Sequence, residues 1–519
     1  MAAIRCYDWI THHARRTPDK TAVIDLASER RLSYRAFDDR IARIAWHLRH
    51  RLTIAHGDRI AVLALNTTDT LEMQFACGRL GAIFVPLNTR LTVPELQFIV
   101  GDAAPHLLIH DGDLAEVALT VAKLCKTPST LLLGAGGSYE AAITASERFD
   151  QPELATLDDV STIMYTSGTT GRPKGAIITH GMTLWNCVNL GGPAYITPSS
   201  VLLTVLPLFH TGGLNCYTNP VLHAGGTALI MRAFDPALAL KLISDPSWGI
   251  NAFFGVPSIY QFMAQHPDFA TADFSRLIIG GVGGAAMPVP LLKIWEGRGV
   301  ALQQGYGMTE TSPAVLVLDR QDAARKAGSA GKPVLHTEVR IVRPDGTDAA
   351  IGELGELWVK GPNITPGYWN LPDANKTSFT DGWLHTGDAT RIDEEGFYFI
   401  VDRWKDMYIS GGENVYPAEV ENVLYQHPAI AEAAVIGVPD QRWGEIGVAI
   451  VAVKPGHLLN QTDIDAHCAA NLARFKCPAL IHFVEALPRN ATGKVHKPTL
   501  RETYGAPSAV DKERAVASR

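Results

Sequence analysis

The stretch Tyr165-Thr166-Ser167-Gly168-Thr169-Thr170-Gly171-Arg172-Pro173-Lys174-Gly175 concentrates the groups that a polyphosphate needs. Three glycines let backbone approach a ligand closely, four hydroxyls can donate to phosphate oxygens, and one lysine adds positive charge. The spacing departs from the common nucleotide-binding loop, which ends in Gly-Lys-Ser/Thr; here Lys174 follows Gly171 by three residues. Taken alone, such a run also fits a flexible surface loop. A second glycine-rich run, Gly280-Gly281-Val282-Gly283-Gly284-Ala285-Ala286, follows an apolar segment at 276–279 and gives a weak dinucleotide fingerprint. An NAD-dependent oxidoreductase is therefore a competing reading, although no second strand ends in an acidic residue about twenty positions on.

Regular elements must hold these loops. In residues 33–50, Phe37, Ile41, Ile44 and Leu48 recur at helical spacing; residues 60–65 read as a buried strand, 71–80 as a helix, and 82–85 as the next strand. The hydroxyl-rich loop lies between strand-like segments at 161–164 and 176–178. Alternation resumes over 199–318, with strands at 201–206, 227–231 and 276–279, which predicts an α/β architecture with largely parallel sheets. After about Lys326, short alternating strands at 338–342 and 355–360 and the turn Pro344-Asp345-Gly346 predict a β-rich, mostly antiparallel subdomain. From Asp402 onward, a helix at 417–425, strands at 433–436 and 448–453, and a helix at 464–473 predict a small α+β domain. The expected division is 1–402 and 403–519, with a polar, frayed tail at 507–519.

With 519 residues, 46% of them hydrophobic and 19% charged, the chain has core material for more than one packed unit. A formal net charge of -7 without any long basic block argues against nucleic acid as a partner. Seven scattered cysteines with no Cys-x-x-Cys pair argue against a disulfide framework or a zinc site and suit a reducing cytoplasm. No apolar run reaches the roughly 18 residues of a membrane-spanning helix, and the N-terminus lacks the order of a signal peptide. The expectation is a cytoplasmic protein without an integral membrane segment; a homodimer is an open option.

The hydroxyl-rich loop resembles the signature of the adenylate-forming superfamily, which includes acyl-CoA and aryl-CoA synthetases. Further segments resemble that family in its own order: Leu206-Pro-Leu-Phe-His210, Gly305-Tyr-Gly-Met-Thr-Glu310, Gly355-Glu-Leu-Trp358, Trp383-Leu-His-Thr-Gly-Asp388, Asp402-Arg-Trp-Lys405, Ser410-Gly-Gly-Glu413 and Pro488-Arg-Asn-Ala-Thr-Gly-Lys494. The resemblance covers nearly the whole chain. It implies an ATP-dependent ligase that joins a carboxylic acid to AMP with release of pyrophosphate, then passes the acyl group to coenzyme A. The implied cofactors are ATP, Mg2+ and coenzyme A.

The same resemblance implies roles for individual residues. Lys494 would bridge carboxylate and phosphate, where two anions must be brought together. Glu310 would hold magnesium, Thr309 the α-phosphate and Tyr306 the adenine face, while Thr166, Ser167, Gly168, Thr169, Thr170 and Lys174 would grip the polyphosphate. Asp388 and Arg403 would bind ribose. Lys405 would be the hinge on which the small domain turns, and Asp402 stands where the family commonly has glycine. Gly412 would line the pantetheine tunnel, and Trp443, Phe475 and Lys476 would touch coenzyme A. His210 would gate an acyl pocket in which Gly212, Gly213, Gly281, Gly283 and Gly284 make room, an apolar cavity for a medium-to-long fatty acid or a hydroxycinnamate-type aryl acid. A non-catalytic AMP-binding homologue is the alternative within the same fold.

Overall fold

Buried Phe37, Ile41, Ile44 and Leu48 form the apolar face of the helix Tyr34–His50, and the Ser33 hydroxyl caps its first turn by accepting from the Ala36 amide. The helix Thr68–Leu80 ends on Gly81 in the left-handed conformation, φ 64°. Gly81 then feeds the strand Ile83–Pro86, which pairs in parallel with Arg59–Leu63. This computed structural model describes residues 4–150, 155–166, 173–403, 406–410, 413–440, 442–489 and 494–505.

Among the described residues the strands form four sheets. A six-stranded sheet carries Val160–Thr166 and its antiparallel partner Lys174–Thr179 at one edge. The nine-stranded sheet is parallel through Thr21–Asp25, Thr227–Ile230, Val201–Thr204, Ala252–Gly255, Ile279–Gly283 and Gln303–Gly307. One of its faces packs Leu203, Phe253 and Val282 under helices that include Pro236–Ser244 and Val289–Glu296. The opposite face packs Leu202, Ala252 and Ile279 beneath His180–Gly191 and Thr218–Ala224. The β-rich sheet contains Glu338–Val342 and Gly355–Lys360, as the alternation predicts, with Trp383–Ile392 and Tyr398–Arg403. The fourth sheet joins Tyr408–Ser410, Ile430–Asp440 and Gly444–Val453, with Leu480–Val484 added in parallel.

One expectation is corrected here. The strand predicted at 276–279 is Ile279–Gly283, so Gly280, Gly281 and Gly283 of the dinucleotide-like run lie inside the sheet. Gly281 is the direct partner of Phe254, and a Cβ on it would lie 2.8 Å from Phe254 Cδ2. The glycine is there because a neighbouring ring occupies its side-chain space. A dinucleotide fingerprint needs such glycines in the turn that opens a helix; in this fold the helix Val289–Glu296 begins well after them. The oxidoreductase reading loses its one supporting feature.

Candidate active site

The C-terminal end of the glycine strand is where the two parts of the chain meet. Gly284, φ 81°, follows the last strand residue, and a Cβ built on it would lie 3.3 Å from Lys494 Cε and 3.9 Å from Lys494 Nζ. The lysine is presented by a segment whose feet are tied down. Arg489 bridges Val495, the His496 amide donates to Pro488 O, and the Arg489 guanidinium pairs with Glu432. A second contact between the parts runs from Gln261 Nε2 to Ala431 O at 2.9 Å. Ligands of open α/β sheets bind at the carboxyl ends of the strands, and Lys494, a cation the sequence singled out, lies there.

From that point the backbone leads to the residues expected to meet the nucleotide. Gly283 pairs with Gly305 in the neighbouring strand Gln303–Gly307, and Tyr306 follows. Its hydroxyl donates to Asp388 Oδ2 at 2.5 Å. Asp388 is buried and stands opposite Arg403 in the register between Trp383–Ile392 and Tyr398–Arg403. Beyond Tyr306 the chain turns through the short helix Thr309–Thr311. There Thr309 is half-buried, and Glu310 is 6% exposed.

Glu310 is held by a residue that the sequence reading did not single out. Tyr368 donates its hydroxyl to Glu310 Oε1 at 2.8 Å, and Lys174 Nζ lies 5.0 Å from the centroid of the same ring. A cation over an aromatic face is attracted by the ring quadrupole, so Tyr368 links the cation of the hydroxyl-rich hairpin to the candidate metal carboxylate. The Thr365 amide donates to Glu310 O, Ile177 N donates to Gly367 O, and Trp369 N donates to Gly175 O. These bonds lace residues 365–369 between the hairpin and the Glu310 turn. Thr166 and Lys174 form the last cross-strand pair of the hairpin; Ser167, Gly168, Thr169 and Thr170 lie outside the described residues, as do Lys405 and Gly412.

Among the described residues no three His, Cys, Asp or Glu side chains converge as a metal cage. One carboxylate completed by phosphate oxygens and water is the donor set on which magnesium normally sits in nucleotide sites, so Glu310 fits that ion.

The acyl side of the site differs from expectation in detail. His210 is half-buried, and its Nε2, which is shielded from solvent, has no hydrogen-bond partner among the described residues. Burial, helped by the nearby charges of Lys494 and Arg90, pushes its imidazole down to about 3, so the ring is neutral. The segment Gly212–Cys216 is a π-helical turn, leading through Tyr217 into Thr218–Ala224. A Cβ on Gly213 would run into the carbonyl oxygens of Pro207 and Leu206, and one on Gly281 into the Tyr217 hydroxyl. These two glycines therefore do not widen a pocket; they admit protein atoms. Tyr217, Phe254 and Cys216 were missed because their letters look the same in a core. Burial pushes the Cys216 thiol up to about 12, with Lys494 acting in the opposite sense.

The candidate coenzyme A contacts make their bonds within the small domain. Lys476 Nζ pairs with Glu419 Oε1 at 2.7 Å and lies over the Phe475 ring. Trp443 packs with the cluster around Leu480 and Leu487, and its amide donates to Asp440 Oδ1. At the domain junction, the Asp402 carboxylate accepts from Ala418 N, 2.9 Å away, and so caps the helix Pro417–Leu424. Lys497 pairs with Glu421 in that helix at 2.9 Å. Replacement of a capping carboxylate typically costs about 1 kcal/mol, so Asp402→Ala is expected to lower stability by that amount, read as a shift of the denaturant midpoint at unchanged slope. An unchanged midpoint would show that the cap contributes nothing.

Comparison with known proteins agrees with this geometry. The sequence profile of the family described as "AMP-binding enzyme" matches residues 10–369, and that of the "AMP-binding enzyme C-terminal domain" matches residues 419–494. A feruloyl-CoA synthase of Amycolatopsis sp is 43% identical over 500 residues, covering 96% of this chain and 98% of that protein. The long-chain-fatty-acid–CoA ligase FadD13 of Mycobacterium tuberculosis is 38% identical over 491 residues, covering 94% and 96%. The ATP-bound crystal structure of MatB from Rhodopseudomonas palustris superposes with a TM-score of 0.88 at 32% identity, covering 96% of this chain and 99% of that one. With both profiles in their expected order and a lysine from the second part held against the sheet of the first, the chain belongs to the AMP-binding enzymes, among the carboxylic acid–CoA ligases.

Proposed function

We infer that this chain activates a carboxylic acid with ATP and transfers the acyl group to coenzyme A, and that Lys494 serves the first of these steps. The observation that carries the assignment of Lys494 is its seat against Gly284, one strand away from Tyr306, whose hydroxyl reaches Asp388 in the β-rich sheet. In the first half-reaction an oxygen of the acid attacks the α-phosphorus of ATP, the bond to the β-phosphate oxygen breaks, and pyrophosphate leaves. Attacker and electrophile are both anionic, so a fixed cation between them stabilises the charge that builds up in the transition state. In the second, the thiol sulfur of coenzyme A attacks the acyl carbon and AMP leaves.

The other roles are proposed from the family motifs, with the contacts described above in their support. Tyr306 and Asp388, joined by their hydrogen bond, suit the adenosine end, with Asp388 accepting from ribose hydroxyls opposite Arg403. Thr309 and the hydroxyl-rich hairpin suit the phosphates. Magnesium, held by Glu310, would neutralise phosphate charge when bound. Lys405 is proposed as the hinge between residues 1–402 and 403–519, which allows one site to serve two steps; Gly412, Trp443, Phe475 and Lys476 are proposed on the coenzyme A side. Seven free thiols suit a reducing compartment, and we place the enzyme in the cytoplasm. No helix among the described residues is long and apolar enough to cross a membrane.

The test is pyrophosphate and AMP release by the full chain with magnesium-ATP across a panel of carboxylic acids, with and without coenzyme A. Acid-dependent pyrophosphate, and acyl-CoA only when coenzyme A is added, is the expected pattern. If no acid in a broad panel yields AMP, the assignment fails.

A further inference from the structure

A single asparagine ties the six-stranded sheet to the nine-stranded one. Asn66 follows the strand Arg59–Leu63 of the six-stranded sheet, is 5% exposed, and precedes Thr67, the cap of the helix Thr68–Leu80. Its side chain reaches across to segments that leave the nine-stranded sheet. Nδ2 donates to Leu206 O at 2.9 Å and to Met231 O at 3.1 Å, and Oδ1 accepts from Leu208 N at 2.8 Å. Leu206 and Met231 lie just beyond the carboxyl ends of Val201–Thr204 and Thr227–Ile230, which pair in parallel. Two buried carbonyls and one buried amide hydrogen converge there, and each needs a partner. A carboxylate would offer acceptors alone and a hydroxyl one donor; the primary amide matches all three.

The segment held in this way carries His210. Leu208 and Leu214, on either side of it, are each 1% exposed and pack into the core that contains Leu71 and Met73 of the helix Thr68–Leu80. Between the two leucines, the His210 amide donates to Pro207 O, and the His210 carbonyl accepts from Gly213 N and Leu214 N. The ring itself has less to orient it. Its Nε2 has no hydrogen-bond partner among the described residues, and it packs against Phe209 with centroids 4.8 Å apart. The place of the imidazole is thus inherited from the backbone of residues 206–214, and that backbone is fixed at one end by Asn66.

We propose that Asn66 is a positioning residue for the acid: by clamping Leu206 and Leu208 it holds His210 at the acyl side of the site. This rests on the ligase reading and on the placement of His210 beside the acid. Asn66 itself touches no substrate. Its effect passes through the loop, so it should be felt by the acid and not by the nucleotide.

The experiment measures steady-state pyrophosphate release by the full chain with the acid of the panel above, ferulate included, that the parent turns over fastest. Parent, Asn66→Ala, Asn66→Ser, His210→Ala, Thr67→Ala and the Asn66→Ala/His210→Ala double variant are compared, each with its melting temperature. Asn66→Ala is expected to raise the KM for the acid about tenfold and leave the KM for magnesium-ATP within about twofold, since a small misplacement of a positioning group is costly. Asn66→Ser, which keeps one hydroxyl, should fall between parent and Asn66→Ala, and it decides the matter if Asn66→Ala does not fold. In the double variant Asn66→Ala should add almost nothing to the effect of His210→Ala, because residues that act through one another are not additive. Thr67→Ala is the control for a merely structural role. It loosens the same junction, where the Thr67 hydroxyl donates to Asp25 Oδ2 at 3.0 Å and accepts from Asp69 N, without touching residues 206–210; it should lower the melting temperature and leave the KM for the acid alone. An unmoved KM for the acid in a folded Asn66 variant overturns the proposal. So do an equal rise in both KM values, the same acid effect in Thr67→Ala, or independent effects of Asn66→Ala and His210→Ala. A parent inactive with every acid instead removes the ligase reading, and this role with it.

Discussion

Lys494→Ala is expected to lower acid-dependent pyrophosphate release by about 10²- to 10³-fold, the usual loss when one preorganised electrostatic donor is removed from a transition state. Thioester formation from a supplied acyl-adenylate should keep most of its rate, because that step no longer joins two anions. The asymmetry follows from position. Lys494 is held by the Arg489–Glu432 pair and the Arg489–Val495 bridge at its base, and it lies against Gly284 at the carboxyl end of the strand Ile279–Gly283. Lys494→Arg keeps the charge in a wider planar group, so an intermediate rate is expected. Equal loss in both half-reactions, measured by pyrophosphate release and by acyl-CoA from synthetic adenylate, would reject the assignment of the lysine to the first step.

What the sequence revealed about this site follows a physical rule. Alternating strands such as Glu338–Val342 and Gly355–Lys360 were readable to the residue, because each side chain's position on one face or the other is set by its place in the chain. The helix predicted at 33–50 appears as Tyr34–His50 for the same reason. The strand Ile279–Gly283 was misplaced because glycine has no side chain to show a period; its pairing is decided by Phe254 and Gly305 in other strands. Tyr368 was missed because its bond to Glu310 spans 58 positions, and no local pattern marks an aromatic that will meet a carboxylate that far away. Lys494 could be named from its motif, but its seat against Gly284 belongs to the packing of two units. Recognition of motifs thus supplied the chemistry, while the packing of Tyr217 and Phe254 against the glycine strand emerged only from tertiary contacts.

Glu310→Gln should be nearly as damaging as loss of the lysine, with pyrophosphate release down by about 10²-fold or more and the melting temperature almost unchanged. The amide oxygen of glutamine can still accept from the Tyr368 hydroxyl, so the packing that laces residues 365–369 to the hairpin survives. What disappears is the buried carboxylate that is proposed to share a divalent cation with phosphate oxygens. Two further measurements separate charge from scaffold. Raising the magnesium concentration should recover part of the lost rate in Glu310→Gln, since weakened binding of the ion is offset by mass action. Tyr368→Phe should show the opposite pattern: it keeps the carboxylate and the ring beneath Lys174 but removes the hydroxyl that orients Glu310, so its deficit should be smaller and insensitive to magnesium. If Glu310→Gln were fully active at limiting magnesium, the carboxylate would be a structural partner of Tyr368 alone, and the ion would have to be held by other groups around the phosphates.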